Sequence, residues 1–196
     1  MTSRIKTVAL IALLGVGFAA ADAALLAVNH AARSEDSMSV DARLQRLEDR
    51  EAIRKLIVEY GHMVDTRNWE GFANLFAEDG EWIGGMGVAK GRATIRKMME
   101  DTIGPSTAGK IPAGANGPNL HIFTNEVIKV EGDTATGVTK WMFMVTDAQN
   151  HPKPFYLGHY DDTFVRVNGE WKFQSRTAYG DIPQAPPNMT PYAAAK

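Results

Sequence analysis

The sequence predicts a single α+β domain, and three observations lead to that class. Helical patterns run through residues 44–103, strand signals fill residues 120–178, and no internal repeat divides the chain. Helices followed by a run of strands joined by turns is the order of an α+β fold. With 196 residues, the chain has room for one ordinary domain with extensions.

Composition narrows the function classes. A hydrophobic fraction of 44% with a charged fraction of 22% is typical of a globular protein. The formal net charge of −2 and the lack of a long Lys/Arg run give no basis for a nucleic-acid partner. The absence of cysteine excludes disulfides, thiolate metal sites and cysteine nucleophiles.

The first 23 residues are typical of an export signal. Arg4 and Lys6 precede an apolar run, and Ala21-Asp22-Ala23 has the A-x-A form of a signal-peptidase site, although cleavage after Ala27 also fits. The alternative is an uncleaved membrane anchor, which Asp22 disfavours because a charge is costly in hydrocarbon. We therefore predict a periplasmic or secreted protein, with membrane contact only if this segment is retained.

Three helices are predicted at the start of the domain, which we place at residues 40–180 after a polar linker at 24–39. The first has an apolar stripe at spacings of three and four, formed by Leu44, Leu47, Ile53, Leu56, Ile57, Tyr60, Met63 and Val64. A short second helix follows Asn68 as its N-cap. The third covers Arg92 to Ile103 and ends at Gly104-Pro105.

Strand signals account for most of the remaining domain. The predicted strands are Glu81–Ile83, Leu120–Val130, Thr134–Thr146, Phe155–Val167 and Glu170–Ala178. Asn168-Gly169 is typical of a two-residue hairpin turn. Residues 104–119 are rich in Gly and Pro and predict either a pocket lid or a surface loop. The Pro-rich residues 181–196 predict a loose tail.

No familiar cofactor or metal motif is present. The sequence has no G-x-G-x-x-G after a strand, no P-loop, no G-x-S-x-G and no H-E-x-x-H. Its five histidines are scattered, without metal-ligand spacing to a carboxylate. We therefore expect chemistry without a metal or a cofactor.

Three polar residues lie in apolar surroundings and are candidates for chemistry. Tyr60 is on the apolar stripe of the first helix, Asp65 is at the end of that helix, and His121 is near the start of a long strand. Each also has a structural explanation, as a core tyrosine, a capping aspartate or a structural histidine. An ideal helix sets Tyr60 and Asp65 about 140° apart, so they share a pocket only if the helix ends there.

Residues 47–81, read as LEDREAIRKLIVEYGHMVDTRNWEGFANLFAEDGE, resemble the opening of SnoaL-like proteins in the nuclear-transport-factor-2-like superfamily. Later segments agree, at 90–92, 121–125, 158–162 and 168–176. The resemblance covers roughly residues 44–178. It implies a cone-shaped α+β barrel, with N-terminal helices packed against a curved antiparallel sheet that encloses a pocket. That fold hosts dehydratases, isomerases and non-catalytic modules alike.

Within that superfamily the pattern is most similar to scytalone dehydratase and bile-acid 7-alpha-dehydratase. The resemblance implies that His121, Asp65 and Tyr60 are catalytic and that Tyr160 faces the pocket. A second active-site histidine of scytalone dehydratase is not matched, since Val145 or a neighbour stands there. The other candidate substrate-binding residues are Trp82, Trp141, Phe143 and Arg176.

The matched residues suit an elimination reaction. Loss of water from a β-hydroxy carbonyl compound needs a base and an acid, and one neutral histidine oriented by a carboxylate can act as both. We therefore predict a cofactor-independent dehydratase or isomerase for a small hydrophobic hydroxy or carbonyl compound. The alternatives are a non-catalytic periplasmic binding or interaction module and a structural subunit that uses its open sheet face. Homo-oligomers through the sheet are expected on family grounds.

Overall fold

The computed structural model of the protein describes residues 38–107 and 119–193. The predicted signal segment, most of the linker and most of the predicted lid lie outside the described residues. The chain divides into two units, with the boundary after residue 46. In the first, the start of helix α1 is capped by Ser39, whose Oγ accepts a hydrogen bond from the Ala42 N–H at 3.2 Å.

Among these described residues, no helix is both long enough and apolar enough to cross a membrane.

Three helices come first in chain order: α1 (Val40–Asp65), α2 (Trp69–Asn74) and α3 (Arg92–Ile103). Asn68 caps α2 as predicted, because its side-chain oxygen accepts a hydrogen bond from the Gly71 N–H at 3.0 Å. Helix α3 has the predicted bounds and ends at Gly104, whose φ of 118° favours glycine.

The end of α1 is set by its backbone hydrogen bonds. The Asn68 N–H bonds to the Met63 carbonyl at 2.9 Å, and the Arg67 N–H bonds to the Val64 carbonyl at 3.2 Å. This pair of bonds is the Schellman motif, in which the residue after the cap is left-handed. Arg67 takes that position with a φ of 48°, where glycine is usual. Asp65 is consequently the last residue of α1.

Six strands follow one another through the domain: β1 (Phe76–Gly84), β2 (Gly87–Lys90), β3 (Leu120–Glu131), β4 (Thr134–Thr146), β5 (Pro152–Val167) and β6 (Glu170–Ile182). They form one sheet in the order β2-β1-β6-β5-β4-β3. The α+β class is confirmed: helices pack on a curved sheet of six strands. Two details of the prediction are corrected. The sheet does not close into a barrel, and it is mixed, because β1 runs parallel to β6.

The largest differences from the sequence analysis concern β1 and β2. Strand β1 begins at Phe76, five positions before the predicted strand, and β2 was not predicted. Phe76 and Ala77 are both buried, so two consecutive apolar residues concealed the alternation of a strand. Strand β2 has only four residues and begins with Gly87, which has a positive φ, so it has too little pattern to detect.

Tyr60 of α1 defines the inner face of the sheet, because its ring contacts the rings of Tyr160 and Phe173 at 5.6 and 5.7 Å. Alternate residues of a strand share a face. The inner face therefore carries His121 and Phe123 of β3, and also Thr139, Trp141, Phe143, Tyr160, Asp162 and Arg176. His159 and Asp161 point to the opposite, outer face.

The segment after β6 pairs with the edge of the sheet. The Asn188 N–H bonds to the Gly84 carbonyl at 2.9 Å, and the Tyr192 N–H bonds to the Val88 carbonyl at 2.8 Å. The Tyr192 hydroxyl also donates a hydrogen bond to Asp101 of α3. Where the sequence predicts a loose tail, the described part of the segment thus covers edge strand β2.

Candidate active site

Asp65 and His121 form a hydrogen-bonded pair at the end of α1, although they are 56 positions apart in the sequence. His121 Nδ1 lies 2.6 Å from one Asp65 oxygen, and the His121 backbone N–H donates to the other oxygen at 2.9 Å. The two side chains are 16% and 15% exposed, so the protein encloses most of the pair and leaves a small part of it in contact with solvent.

The geometry assigns the tautomer of His121. A carboxylate accepts hydrogen bonds and cannot donate one, so the ring proton lies on Nδ1, between the ring and Asp65. Nε2 then carries a lone pair and can take a proton from a ligand. The arrangement is therefore one that acid–base chemistry can use.

The place of β3 in the sheet makes this contact possible. Strand β3 is at one edge, so some of its backbone N–H groups have no partner strand. Asp65 accepts a hydrogen bond from the backbone N–H of His121, near the start of this edge strand. After Thr124 the register with β4 shifts, and Asn125 has a φ of 54°. The regular alternation of side chains between the two sheet faces, counted from His121, therefore ends at Asn125.

Tyr60 is buried, and its hydroxyl has a defined role as an acceptor. Trp82 Nε1–H donates a hydrogen bond to it at 3.0 Å. Burial raises the pKa of Tyr60, although the charge of Arg176 opposes that shift. Burial also raises the pKa of Tyr160 well above its ordinary value, and the neighbouring Tyr60 adds to the shift. Both hydroxyls therefore stay protonated at neutral pH and can donate hydrogen bonds.

Arg176 and Asp162 form a fully buried ion pair beneath these tyrosines. Arg176 Nε and Nη2 donate to the two Asp162 oxygens at 2.8 and 2.7 Å. The guanidinium carbon also lies 4.1 Å from the ring centroids of Tyr60 and Tyr160 and 4.2 Å from that of Phe173. Since Arg176 has no exposed surface, its evident role is to support the tyrosines from below.

Aromatic rings connect the His–Asp pair with the tyrosines along the inner face. His121 lies 4.7 Å from Phe143 and 6.3 Å from Phe123 between ring centroids. Phe123 lies 6.1 Å from Tyr160, and Tyr160 lies 5.6 Å from Trp141. We call these six rings, His121, Phe123, Trp141, Phe143, Tyr156 and Tyr160, the ring wall; Tyr156 joins it through Trp141 at 6.1 Å.

Most of these residues are candidates from the sequence, but the sequence does not show which of them are in contact. The structure brings His121 and Asp65 together, and it places Tyr60, Tyr160, Trp141 and Phe143 on the same inner face. Trp82 is 6% exposed and serves as the hydrogen-bond donor to Tyr60, so it supports that residue more than it lines a pocket. Asp162 was not selected, although its position two residues after Tyr160 put it on the same face.

Other parts of the described surface lack these features. Across residues 38–107 and 119–193, no three His, Cys, Asp or Glu side chains are grouped so that they could hold a metal ion. The outer sheet face has a groove of about 490 Å³ lined by Lys129, Val138, Thr163 and Ser175 among others. That groove lies on the face of the sheet opposite to His121, so it is not part of the candidate site.

The fold and the site define a class of protein, in which helices pack on a curved sheet and a His–Asp pair lies on the inner face of that sheet. Residues 45–177 match the family model described as the SnoaL-like domain. The chain therefore belongs to the SnoaL-like domain family. A search of curated proteins found no match.

Solved structures agree with this assignment. An NTF2-like protein with a cystatin-like fold from Novosphingobium aromaticivorans is 30% identical, with a TM-score of 0.62, and the match covers 74% of this chain and 90% of that one. A candidate scytalone dehydratase from the same organism is 24% identical (TM-score 0.57, covering 77% and 97%). A hexachlorocyclohexane dehydrochlorinase, LinA type 2, is 23% identical (TM-score 0.58, covering 71% and 89%). The latter two show similarity of fold.

Proposed function

We propose that this protein is a cofactor-independent lyase of the dehydratase type, or an isomerase, acting on a small hydrophobic hydroxy or carbonyl compound. The observation that carries the proposal is the two-point contact between Asp65 and His121, through the ring Nδ1 and the backbone N–H. An ordinary surface ion pair needs only one of these bonds. The second bond fixes the carboxylate relative to the strand, and so it fixes the direction of the imidazole ring.

The proposed reaction begins at Nε2 of His121. This nitrogen removes the proton from the carbon next to a carbonyl group, and the electron pair of that C–H bond moves into an enolate. The β-hydroxyl then leaves with the proton returned by the His121 imidazolium, giving water and a conjugated double bond. The proton on Nδ1 stays on the imidazole throughout, hydrogen-bonded to Asp65, and the Asp65 carboxylate stabilises the imidazolium that forms in between. In an isomerase, the same proton returns to a different carbon.

Tyr60 is the proposed hydrogen-bond donor for the enolate oxygen or the leaving group. Its oxygen accepts a hydrogen bond from Trp82 and its hydroxyl also bonds to Tyr160, so in the proposed reaction Tyr60 donates to the ligand from within this network. The buried guanidinium of Arg176, 4.1 Å from the ring centroid, polarises the ring toward a stronger donor. Preorganised donors of this kind favour the charge that develops in the transition state.

The names of two structural neighbours support an elimination. A dehydratase removes water and a dehydrochlorinase removes hydrogen chloride, and in both reactions a C–H bond and a bond to a leaving group are broken. Because the shared fold hosts many activities, the His–Asp geometry of this chain is the stronger support for elimination.

The test is His121→Ala, assayed on a panel of small β-hydroxy ketones by the absorbance of the conjugated product. We expect turnover to fall by roughly 10²–10⁴-fold, the usual contribution of one positioned acid–base group. The far-ultraviolet circular dichroism should stay as in the wild type. His159→Ala is the matched control, since His159 also bonds to a carboxylate but on the outer face. Equal activity of the two variants would refute the proposal.

A second candidate function, a non-catalytic interaction module, has one observation in its favour. Ile122, Val127 and Val138 are 49%, 57% and 39% exposed on the outer sheet face. Apolar groups exposed on a sheet are typical of a contact surface. The two functions differ in the assay above, because a module would give no product with any substrate of the panel.

A further inference from the structure

Gly61 is a buried glycine in the interior of helix α1, four residues before Asp65. Glycine inside a helix is less favourable than alanine, because its backbone loses more conformational freedom on folding. The φ of Gly61 is not positive, so the backbone at this position does not require glycine. The packing around Gly61 gives the reason for its presence.

The space that a side chain at position 61 would fill is taken by the ring of Phe123 from β3. A Cβ at Gly61 would overlap Phe123 Cε2 and lie 3.1 Å from Cζ, whereas carbon atoms pack best at about 3.5–4.0 Å. The Phe123 ring is also confined by other rings, since its centroid lies 6.4 Å from that of Tyr60 and 6.1 Å from that of Tyr160. Phe123 therefore lies directly against the backbone of α1.

This contact is in register with the His–Asp pair. Gly61 and Asp65 are four residues apart and share one face of α1, while Phe123 and His121 are two residues apart and share one face of β3. The two spacings match, because four helical residues rise about 6.0 Å and two strand residues about 6.6 Å. Two adjacent positions of α1 thus meet two adjacent positions of β3: Gly61 lies against Phe123, and Asp65 bonds to His121.

A third contact continues the same line. Arg54 lies seven residues before Gly61, on the same helix face. Its Nε donates to Glu126 of β3 at 2.6 Å. The two side chains are 45% and 26% exposed, so this ion pair adds little to stability. The order of the three contacts shows that α1 and β3 run in opposite directions along one line, with Gly61 next to the His–Asp pair.

We propose that Gly61 is a positioning residue for the His–Asp pair. Its lack of a side chain lets Phe123 pack against α1, and this contact sets the separation at which the Asp65 carboxylate reaches His121 Nδ1. A methyl group at position 61 displaces the Phe123 ring, and β3 with it, away from α1. A shift of about 1 Å takes the 2.6 Å contact beyond hydrogen-bonding distance. The inference rests on the proposed function only for its effect on turnover.

The test is Gly61→Ala, and the main readout is the tautomer of His121. The ¹⁵N shifts of the ring nitrogens, in protein labelled with ¹⁵N-histidine and assigned with His121→Ala, show which nitrogen carries the proton. We expect Nδ1–H in the wild type and loss of that preference in Gly61→Ala. His159, on the outer face, should keep its wild-type shifts, which a general loosening of the fold would not allow. The kcat should fall roughly 10- to 100-fold.

A rescue variant tests the contact itself. In Gly61→Ala/Phe123→Leu, the smaller leucine leaves room for the added methyl group. The Nδ1–H tautomer should return, with kcat within about threefold of that of Phe123→Leu alone. Val58→Ala is the matched control for helix propensity, since Val58 is on the same helix and 60% exposed. It should change neither the tautomer nor kcat.

A His121 ring that keeps its Nδ1 proton in Gly61→Ala would overturn the proposal. So would a double variant in which the tautomer is not restored. If Gly61→Ala does not fold, the double variant decides in the same way: Nδ1–H supports the contact, and its loss refutes it.

The tautomer separates this inference from the proposed reaction, because it is measured without a substrate. If Gly61→Ala changes the tautomer but the wild type turns over no compound of the panel, the reaction is refuted and the positioning role stands. If His121→Ala abolishes turnover while Gly61→Ala keeps both tautomer and rate, the reaction stands and the positioning role is refuted.

Discussion

Two histidine–carboxylate pairs lie on opposite faces of the same sheet, and their bond lengths are nearly equal. His121 Nδ1 is 2.6 Å from Asp65 on the inner face, and His159 Nδ1 is 2.7 Å from Asp181 on the outer face. Distance alone would not tell which pair is suited to catalysis. Their surroundings do.

The second oxygen of each carboxylate has a different partner. Asp65 accepts the backbone N–H of His121, whereas Asp181 accepts the Nζ of Lys140 at 2.9 Å. A backbone donor directs the carboxylate without neutralising it. A lysine offsets its charge, and the hydrogen bond from Lys140 holds the pKa of Asp181 below its ordinary value. The outer pair is therefore part of a surface charge network.

The rings of the two histidines also face different neighbours. His121 adjoins the ring wall of the inner face, while His159 lies flat on Tyr179 at 4.7 Å with an interplanar angle of 5°. The outer side chains are 25% and 34% exposed, compared with 16% and 15% inside. The inner pair is therefore the candidate for catalysis, because its carboxylate is not shared with a lysine and its ring adjoins the aromatic residues of the inner face.

The largest effect should come from Asp65→Asn, compared with Asp181→Asn. The amide can donate to Nδ1, which favours the wrong tautomer of His121, so we expect turnover to fall roughly 10²–10⁴-fold. Asp181→Asn should leave turnover within about twofold of the wild type, since it acts on the outer pair. Steady-state kinetics on the β-hydroxy ketone panel measures both. Equal losses in the two variants would contradict the distinction between the faces.

A large effect on stability is expected from Asp162→Asn. This change leaves the buried guanidinium of Arg176 without its counter-charge, which typically costs about 3–5 kcal/mol. Urea denaturation followed by circular dichroism gives the free energy of unfolding. Asp181→Asn is again the control, because it removes an exposed carboxylate that also bonds to a cation. A loss below about 1 kcal/mol in Asp162→Asn would show that the buried pair contributes little.

The smallest effect concerns the acid stability of the outer pair. The pKa of Asp181 is lower in the folded state, so its contribution is present above the unfolded pKa of about 3.9 and disappears as pH falls through the folded value. We expect Asp181→Asn to lower the free energy of unfolding by on the order of 0.5 kcal/mol or less at pH 6. The difference should shrink as the pH falls below the unfolded pKa. A difference that grows on acidification would contradict a lowered pKa of Asp181 in the folded state.

Local signals predicted most of the elements, because each depends on neighbours in sequence. The apolar stripe predicted α1, Asn68 predicted the start of α2, and Asn168-Gly169 predicted the turn between β5 and β6. The end of α1 was harder to justify, since Arg67 occupies the left-handed position without the glycine that usually signals it.

The sequence predicted which residues belong to the candidate site, but it did not predict the contacts that each of them makes. Tyr60 and Asp65 stood out as polar residues in apolar surroundings, and the family resemblance singled out His121. Arg176 was selected as a ligand-binding residue, but its pairing with Asp162 leaves it fully buried. A cross-strand partner depends on the register of two strands, which strand patterns alone did not specify.

The sequence by itself determined the α+β class, the family, most element boundaries and the residue types available for chemistry. Tertiary structure decided the parallel pairing of β1 with β6, the open edge at β3 and the contact of Asp65 with His121. The physical reason is the separation in sequence between the residues that set each feature. Helix caps and hairpin turns are set by bonds over a few residues. A contact across 56 positions depends on how the packed sheet and helix place their ends.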